Sequence, residues 1–138
     1  MEGRSRFDEK TQMRLARSVA AITVSAPEGN VSWRIGQAGV IEFSSDAGKN
    51  WVVQPSGVIA DLLAGSAPSA KVCWLVGSAG TILRTTDGGK HWFKINPPAP
   101  DDLRSVFAVD ASQATVSLTS GSYQTADGGS TWNKLPPQ

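Results

Sequence analysis

The chain has 138 residues, one domain's worth, and 40% of them are hydrophobic, enough to build a core. Thirteen Lys and Arg against twelve Asp and Glu leave a net charge of +1, without the basic excess of a nucleic-acid surface. No apolar run reaches the about 18 residues of a membrane-spanning helix, and the lone Cys73 has no partner for an internal disulfide, which leaves the compartment open.

Residues 1–12 carry no β pattern and are expected to be a flexible or helical lead, or the end of an upstream segment. Residues 13–26 faintly resemble a secretion signal with a small-x-small end, but Arg17 interrupts the apolar run. A shift of 41 residues gives a better account: it lays Ala26-Pro27 on Ala67-Pro68, Trp33 on Trp74 and Gly39 on Gly80. Residues 13–138 then form one domain of three repeats, over about 13–56, 57–97 and 98–138. The expected strands of the first are 18–25, 31–36, 40–45 and 51–54, and of the second 58–65, 71–77, 81–86 and 91–95. The third has 103–109, 114–119, 122–125 and 131–135, with Gly, Pro, Asp and Asn between the strands. In the third repeat Thr115 stands where the others have Trp33 and Trp74, and the second hairpin is one residue shorter.

One phrase recurs in all three. Ser44-x-Asp46-x-Gly48-x-x-Trp51, Thr85-x-Asp87-x-Gly89-x-x-Trp92 and Thr125-x-Asp127-x-Gly129-x-x-Trp132 share one pattern, with the aspartates 41 and 40 residues apart. A period near 40 with four short strands per copy predicts an all-β propeller of four-stranded antiparallel blades. Each phrase reads as a hairpin turn. The Asp accepts hydrogen bonds from N–H groups two or three residues on. The Gly supplies a positive φ, and the Trp opens the return strand and buries its ring. The role expected of these twelve residues is structural. Chemistry needs differently tuned groups at one place, not one group at three places.

The phrase resembles the Asp-box, the bacterial neuraminidase repeat. The middle of the chain, Asp61-Leu62-Leu63-Ala64-Gly65-Ser66-Ala67-Pro68, then Val72-Cys73-Trp74-Leu75-Val76-Gly77 and Gly80-Thr81-Ile82-Leu83-Arg84-Thr85-Thr86-Asp87-Gly88-Gly89, is similar to the photosystem II stability/assembly factor-like family as found in non-photosynthetic bacteria. The resemblance covers roughly residues 30–138 and implies a propeller used for binding or assembly.

Propellers close with about 4–8 blades, so three make a partial ring, completed by oligomerisation or by missing chain. Two copies related by a two-fold axis would give six blades, blade 1 of each on blade 3 of the other. The second strands bear on this. Val72, Trp74 and Val76 alternate with Cys73 and Leu75, apolar on both faces, while Val31, Trp33 and Ile35 alternate with Ser32 and Arg34, and Val116 and Leu118 with Thr115, Ser117 and Thr119. A blade covered on both sides reads apolar on both faces, and an end blade on one.

No catalytic constellation is found. Sialidases, which share the Asp-box, use an arginine cluster, a Tyr nucleophile and acid/base carboxylates. Here Arg34, Arg84 and Arg104 fall at different strand positions, and Tyr123, Glu28 and Glu42 form no partnership. His91 sits at a variable turn position, Asp101-Asp102 reads as a turn, and no metal or cofactor is expected. The five tryptophans all fall in repeat register, which favours core over a sugar-stacking platform, and Cys73 reads as a buried inert thiol. The expected function is a non-catalytic module that binds a protein or peptide, touching it with Asp61, Asp102 and Arg104 on the loops that lead into first strands. The alternative is a glycan-binding or sialidase-like fragment.

Overall fold

Short alternating strands punctuated by Gly, Pro and Asp pair into three separate four-stranded antiparallel sheets in the computed structural model, which describes residues 20–137. Blade 1 comprises β1 (Ala20–Ser25), β2 (Ser32–Gly36), β3 (Ile41–Ser44) and β4 (Val52–Val53). Blade 2 comprises β5 (Leu62–Ser66), β6 (Cys73–Gly77), β7 (Ile82–Thr85) and β8 (Phe93–Lys94). Blade 3 comprises β9 (Leu103–Ala108), β10 (Ala114–Leu118), β11 (Gly121–Thr125) and β12 (Asn133–Lys134). Within each blade the strands pair in sequence order, and β5 packs on both β1 and β9, so the blades stand side by side with their first strands adjacent. The chain is an all-β partial propeller. The expected lead over 1–12 and the first two residues of the expected first strand lie outside the described residues.

Two differences from expectation are local. The fourth strands are only two residues long and begin after the box Trp; the rings of Trp92 and Trp132 turn toward the preceding blade, while Trp51 bonds back to Gly48 of its own box. The β2–β3 and β6–β7 connections each carry a three-residue 3₁₀ turn, Gln37–Gly39 and Ser78–Gly80, with Ala38 and Ala79 at φ 59° and 55°.

The core lies between blades, in two layers. Trp33, Ile35 and Ile41 of blade 1 pack against Cys73, Leu75 and Leu83 of blade 2. Trp74, Val76 and Ile82 of blade 2 pack against Leu103, Ala114, Val116 and Leu118 of blade 3. Residues Cys73 to Val76 of β6 are therefore fully buried on both faces. In β2 and β10 burial alternates: Trp33, Ile35, Ala114, Val116 and Leu118 are buried while Ser32, Arg34, Thr115 and Ser117 are only half-buried. The period-two reading of the three second strands thus holds residue by residue. Burial raises the Cys73 thiol well above its ordinary pKa, which keeps it protonated and unreactive.

Candidate functional site

The three boxes share one hydrogen-bond circuit. In the middle one the buried Thr85 hydroxyl donates to Asp87 Oδ1 at 2.8 Å and accepts the Gly89 N–H at 2.8 Å. Asp87 Oδ1 also accepts the His91 N–H at 3.0 Å. Ser44 with Asp46, Gly48 and Asn50, and Thr125 with Asp127, Gly129 and Thr131, repeat this pattern. The N–H that the aspartate accepts thus lies four residues on, not two or three. Two successive residues in each box have positive φ: Ala47 and Gly48, Gly88 and Gly89, Gly128 and Gly129. That double reversal brings the seventh residue back over the carboxylate.

The seventh position varies in residue type, yet it supplies a second donor in every box. Asn50 Nδ2 reaches Asp46 Oδ2 at 2.7 Å, His91 Nδ1 reaches Asp87 Oδ2 at 2.7 Å, and Thr131 Oγ1 reaches Asp127 Oδ2 at 2.6 Å. Asn, His and Thr share no class beyond being short donors, so no pattern match exposes the role. These bonds lower the carboxylate pKa values. Asp46 falls from 3.8 to about 2, led by the Asn50 side-chain bond, and Asp127 falls likewise, led by that of Thr131. Asp87 falls further, led by the His91 side chain.

The sign of the linkage follows. A folded-state pKa below the unfolded one contributes stability that is present above the ordinary value and is lost as pH falls through the folded value. The window is therefore from 3.8 down to about 2. We expect the melting temperature to hold from neutral pH to the upper edge of that window and then to fall steeply. Asp46→Asn should melt lower at neutral pH and show a flatter fall below pH 3.8. Identical acid profiles for the two proteins would count against the circuit as the origin.

The loops leading into the first strands of blades 2 and 3, residues 54–61 and 95–102, start beside the boxes, with Gln54 over Gly89 and Ile95 over Gly129, and end at the 3₁₀ turns of the preceding blades. Asp61 and Asp102 act there as latches. Asp61 Oδ1 accepts the N–H of Ala38 at 3.0 Å, and Asp102 Oδ1 accepts the N–H of Ala79 at 2.8 Å. The left-handed alanines aim those N–H groups at the following blade. Arg104 lies between Leu103 and Ser105, which pair with adjacent residues Leu118 and Ser117, so Arg104 is the extra residue of a β-bulge. The bulge turns its side chain outward, 73% exposed, with the guanidinium 3.9 Å from Asp102 Oδ2. In the preceding loop Ile59 is 90% exposed. The sequence marked Arg104 by position only and did not mark Ile59.

The other titratable groups are dispersed. Arg34 pairs with Glu42 at 2.8 Å and lies 3.9 Å over the Trp51 ring. Arg84 donates to the carbonyls of Ala111 and Gly128 at 2.9 and 3.1 Å. Tyr123 packs half-buried against the layer between blades 2 and 3. Among the described residues no three His, Cys, Asp or Glu gather as a metal site. One depression of about 290 Å³ between blades 1 and 2 is lined by Phe43, Gln54, Lys71, Asp87 and Lys90, and its carboxylate is the one committed to the box.

Residues 64–136 match the family described as photosynthesis system II assembly factor YCF48. Among solved structures, YCF48 from Cyanidioschyzon merolae superposes with a TM-score of 0.74 at 26% identity, over 84% of this chain and 36% of that one. The structure described as YCF48 bound to D1 peptide superposes at 0.72 with 24% identity, over 83% of this chain and 38% of that one. An ancestral GH74 enzyme superposes at 0.64 with 13% identity, over 84% of this chain and 18% of that one, a likeness of fold alone. The chain spans little over a third of the length of the two YCF48 chains. No curated protein matches it significantly.

Proposed function

This chain belongs to the photosynthesis system II assembly factor YCF48 family, and from that premise we propose that it is a non-catalytic propeller module that binds a protein or peptide at its lead-in loops. One observation carries the reading: an arginine turned outward by a β-bulge stands at the same end as an isoleucine left bare on the preceding loop. Arg and large apolar side chains anchor interfaces when they fit a partner's pockets. Asp61 and Asp102 hold the loops in place through their alanine latches, and Asp102 also steadies the guanidinium. A YCF48 of the same fold has been captured with a peptide, which supports the class of ligand.

The arginines that a sialidase would converge on a carboxylate are used here in three separate places, which supports the non-catalytic reading. The glycan alternative rests on the shared Asp-box, and aromatics exposed in a groove would favour it. None of the five tryptophans is exposed, and Trp51 is covered by Arg34.

The test is a displayed peptide library selected on the protein, followed by titration of the selected peptides. Arg104→Glu and Ile59→Ser should each weaken binding about tenfold or more, with unchanged melting temperature because both side chains are exposed. Selected peptides indifferent to both substitutions would place the binding surface elsewhere. A glycan array that binds while the library yields nothing would favour the alternative.

A further inference from the structure

The two junctions between blades are built alike. A buried second-strand tryptophan meets the box tryptophan of the following blade edge to face: Trp33 with Trp92 at 6.3 Å, and Trp74 with Trp132 at 6.5 Å. Gln54 and Ile95, just past the fourth strands, fill the space over the box glycines Gly89 and Gly129. The glycines before these, Gly88 and Gly128, are also equivalent. Each donates its N–H at 2.9 Å within its own blade, to the carbonyls of Lys71 and Ser112. A Cβ on either would stand 3.6 Å from a carbonyl oxygen, that of Ala70 or of Ala111.

One position separates the two junctions. Opposite the second-strand tryptophan stands Arg84 in blade 2 and Phe43 in blade 1. Arg84 Nη1 lies over Gly128 and donates to the carbonyls of Ala111 and Gly128, which closes the junction of blades 2 and 3 beside the box. Phe43 leans on Trp33 instead, with ring centroids 5.5 Å apart. Among the described residues the Ala70 carbonyl is the one group near Gly88, and no donor reaches its oxygen. The space left open is the depression of about 290 Å³, floored by Val31, Phe43 and Ala70. The charges around it differ as well. Lys71 and Lys90 stand at the rim where the other junction has Ser112 and Ser130. Both lysines are exposed, and neither pairs with a carboxylate among the described residues. Asp87, also at the rim, already accepts bonds from Thr85 and His91.

We propose that the depression between blades 1 and 2 is a binding site for a small aromatic monocarboxylate, with the ring against Phe43 and Val31 and the carboxylate at Lys71 and Lys90. A cavity of about 150 Å³ holds a benzene ring, so the space suffices for a ring and a short acidic arm. The ring gains an aromatic contact with Phe43, and the carboxylate gains charge-assisted bonds from the ammonium groups. Where the other junction balances Arg84 against Asp127, this one sets two cations against one committed carboxylate, so it attracts an anion. A cation in the place of Arg84 would find the carbonyls but meet both lysines. The bare Ala70 oxygen adds a preference for a ligand with an N–H or O–H near its ring, since a buried acceptor left unpaired is costly. The site shares no residue with the peptide surface proposed above, so each can be tested without the other.

The test is an NMR titration of the backbone amides with three matched probes: N-acetylphenylalanine, an anion; N-acetylphenylalaninamide, neutral; and phenylalaninamide, a cation. N-acetylphenylalanine should shift the amides of Ala70, Lys71, Gly88 and Lys90 and saturate with a dissociation constant of about 1 mM or tighter, as its size allows. The neutral probe should bind about two- to fivefold more weakly for each ion pair lost, and the cation more weakly still. Lys71→Glu combined with Lys90→Glu, both on exposed side chains, should reverse the order so that the cation binds best. Phe43→Arg supplies the side chain that closes the other junction; it should abolish the shifts without lowering the melting temperature. Several results would overturn the proposal. These are no saturating shift from N-acetylphenylalanine up to roughly 10 mM, ten times the expected constant, saturation at other amides, or a cation that binds the parent protein as tightly. An unchanged order after the double charge reversal would do so too, and that variant decides the matter if Phe43→Arg does not fold.

Discussion

Trp74→Ala should cost about 3–5 kcal/mol of stability, the range for truncating a large aromatic in a core. Trp74 is the largest fully buried side chain between blades 2 and 3. Its ring meets Trp132 edge-on and its indole N–H donates to the Asp110 carbonyl at 3.1 Å. Truncation opens a cavity, removes an aromatic contact and leaves that carbonyl without the bond, and these losses add. The layer it belongs to ties two sheets that share no backbone ladder, so local collapse cannot close the gap. The melting temperature should fall by roughly 10 °C or more, by the usual scaling of stability to melting. Thr115→Ala, at the matching position of blade 3, should leave it nearly unchanged, because Thr115 is only half-buried and no blade packs on it among the described residues. Equal effects at the two sites would remove the junction role assigned to the tryptophan.

Thr85→Val should cost about 1–3 kcal/mol, the penalty for stranding a buried donor. The substitution keeps shape and volume and removes only the hydroxyl. That hydroxyl accepts the N–H of the buried Gly89 and donates to Asp87. Thr85 is completely buried, so water cannot replace either bond. Gly89 is further pinned from above by Gln54, whose amide also accepts the indole N–H groups of Trp33 and Trp92. Loosening the middle box should therefore weaken the blade 1–2 junction as well. Hydrogen exchange would show faster exchange at Gly89 and His91, with the box of blade 3 unaffected. A melting temperature equal to that of the parent would mean that the Asp87 carboxylate alone closes the hairpin.

The Ser or Thr, Asp and Gly of each box were legible in the sequence because their bonds close within eight residues, whereas Trp92 and Trp132 reach across to the preceding blade. Ser44, Asp46 and Gly48 carry their geometry with them wherever the chain places them. Strand faces were legible for a similar reason. A side chain's face is set by position parity, and which face is covered shows in whether Ser32, Arg34 and Ser117 or Cys73 and Leu75 occupy the odd places. The seventh box position was missed because Asn50, His91 and Thr131 share only a donor atom, which no residue-type pattern marks.

From the sequence alone came the three-blade architecture, the hairpin positions and the polar alternation in the second strands of the end blades, all consequences of local turn chemistry and period-two patterning. The tertiary structure decided what the loop residues do. Asp61 lies 23 residues from the Ala38 N–H it holds, and Gln54 lies 21 and 38 residues from the two tryptophans it joins. Arg104 faces outward because of a bulge that only strand pairing reveals. Such partners meet only when one twisted sheet is set against the next. The twist and spacing of stacked blades are properties of the assembled sheets, and no short stretch of chain contains them.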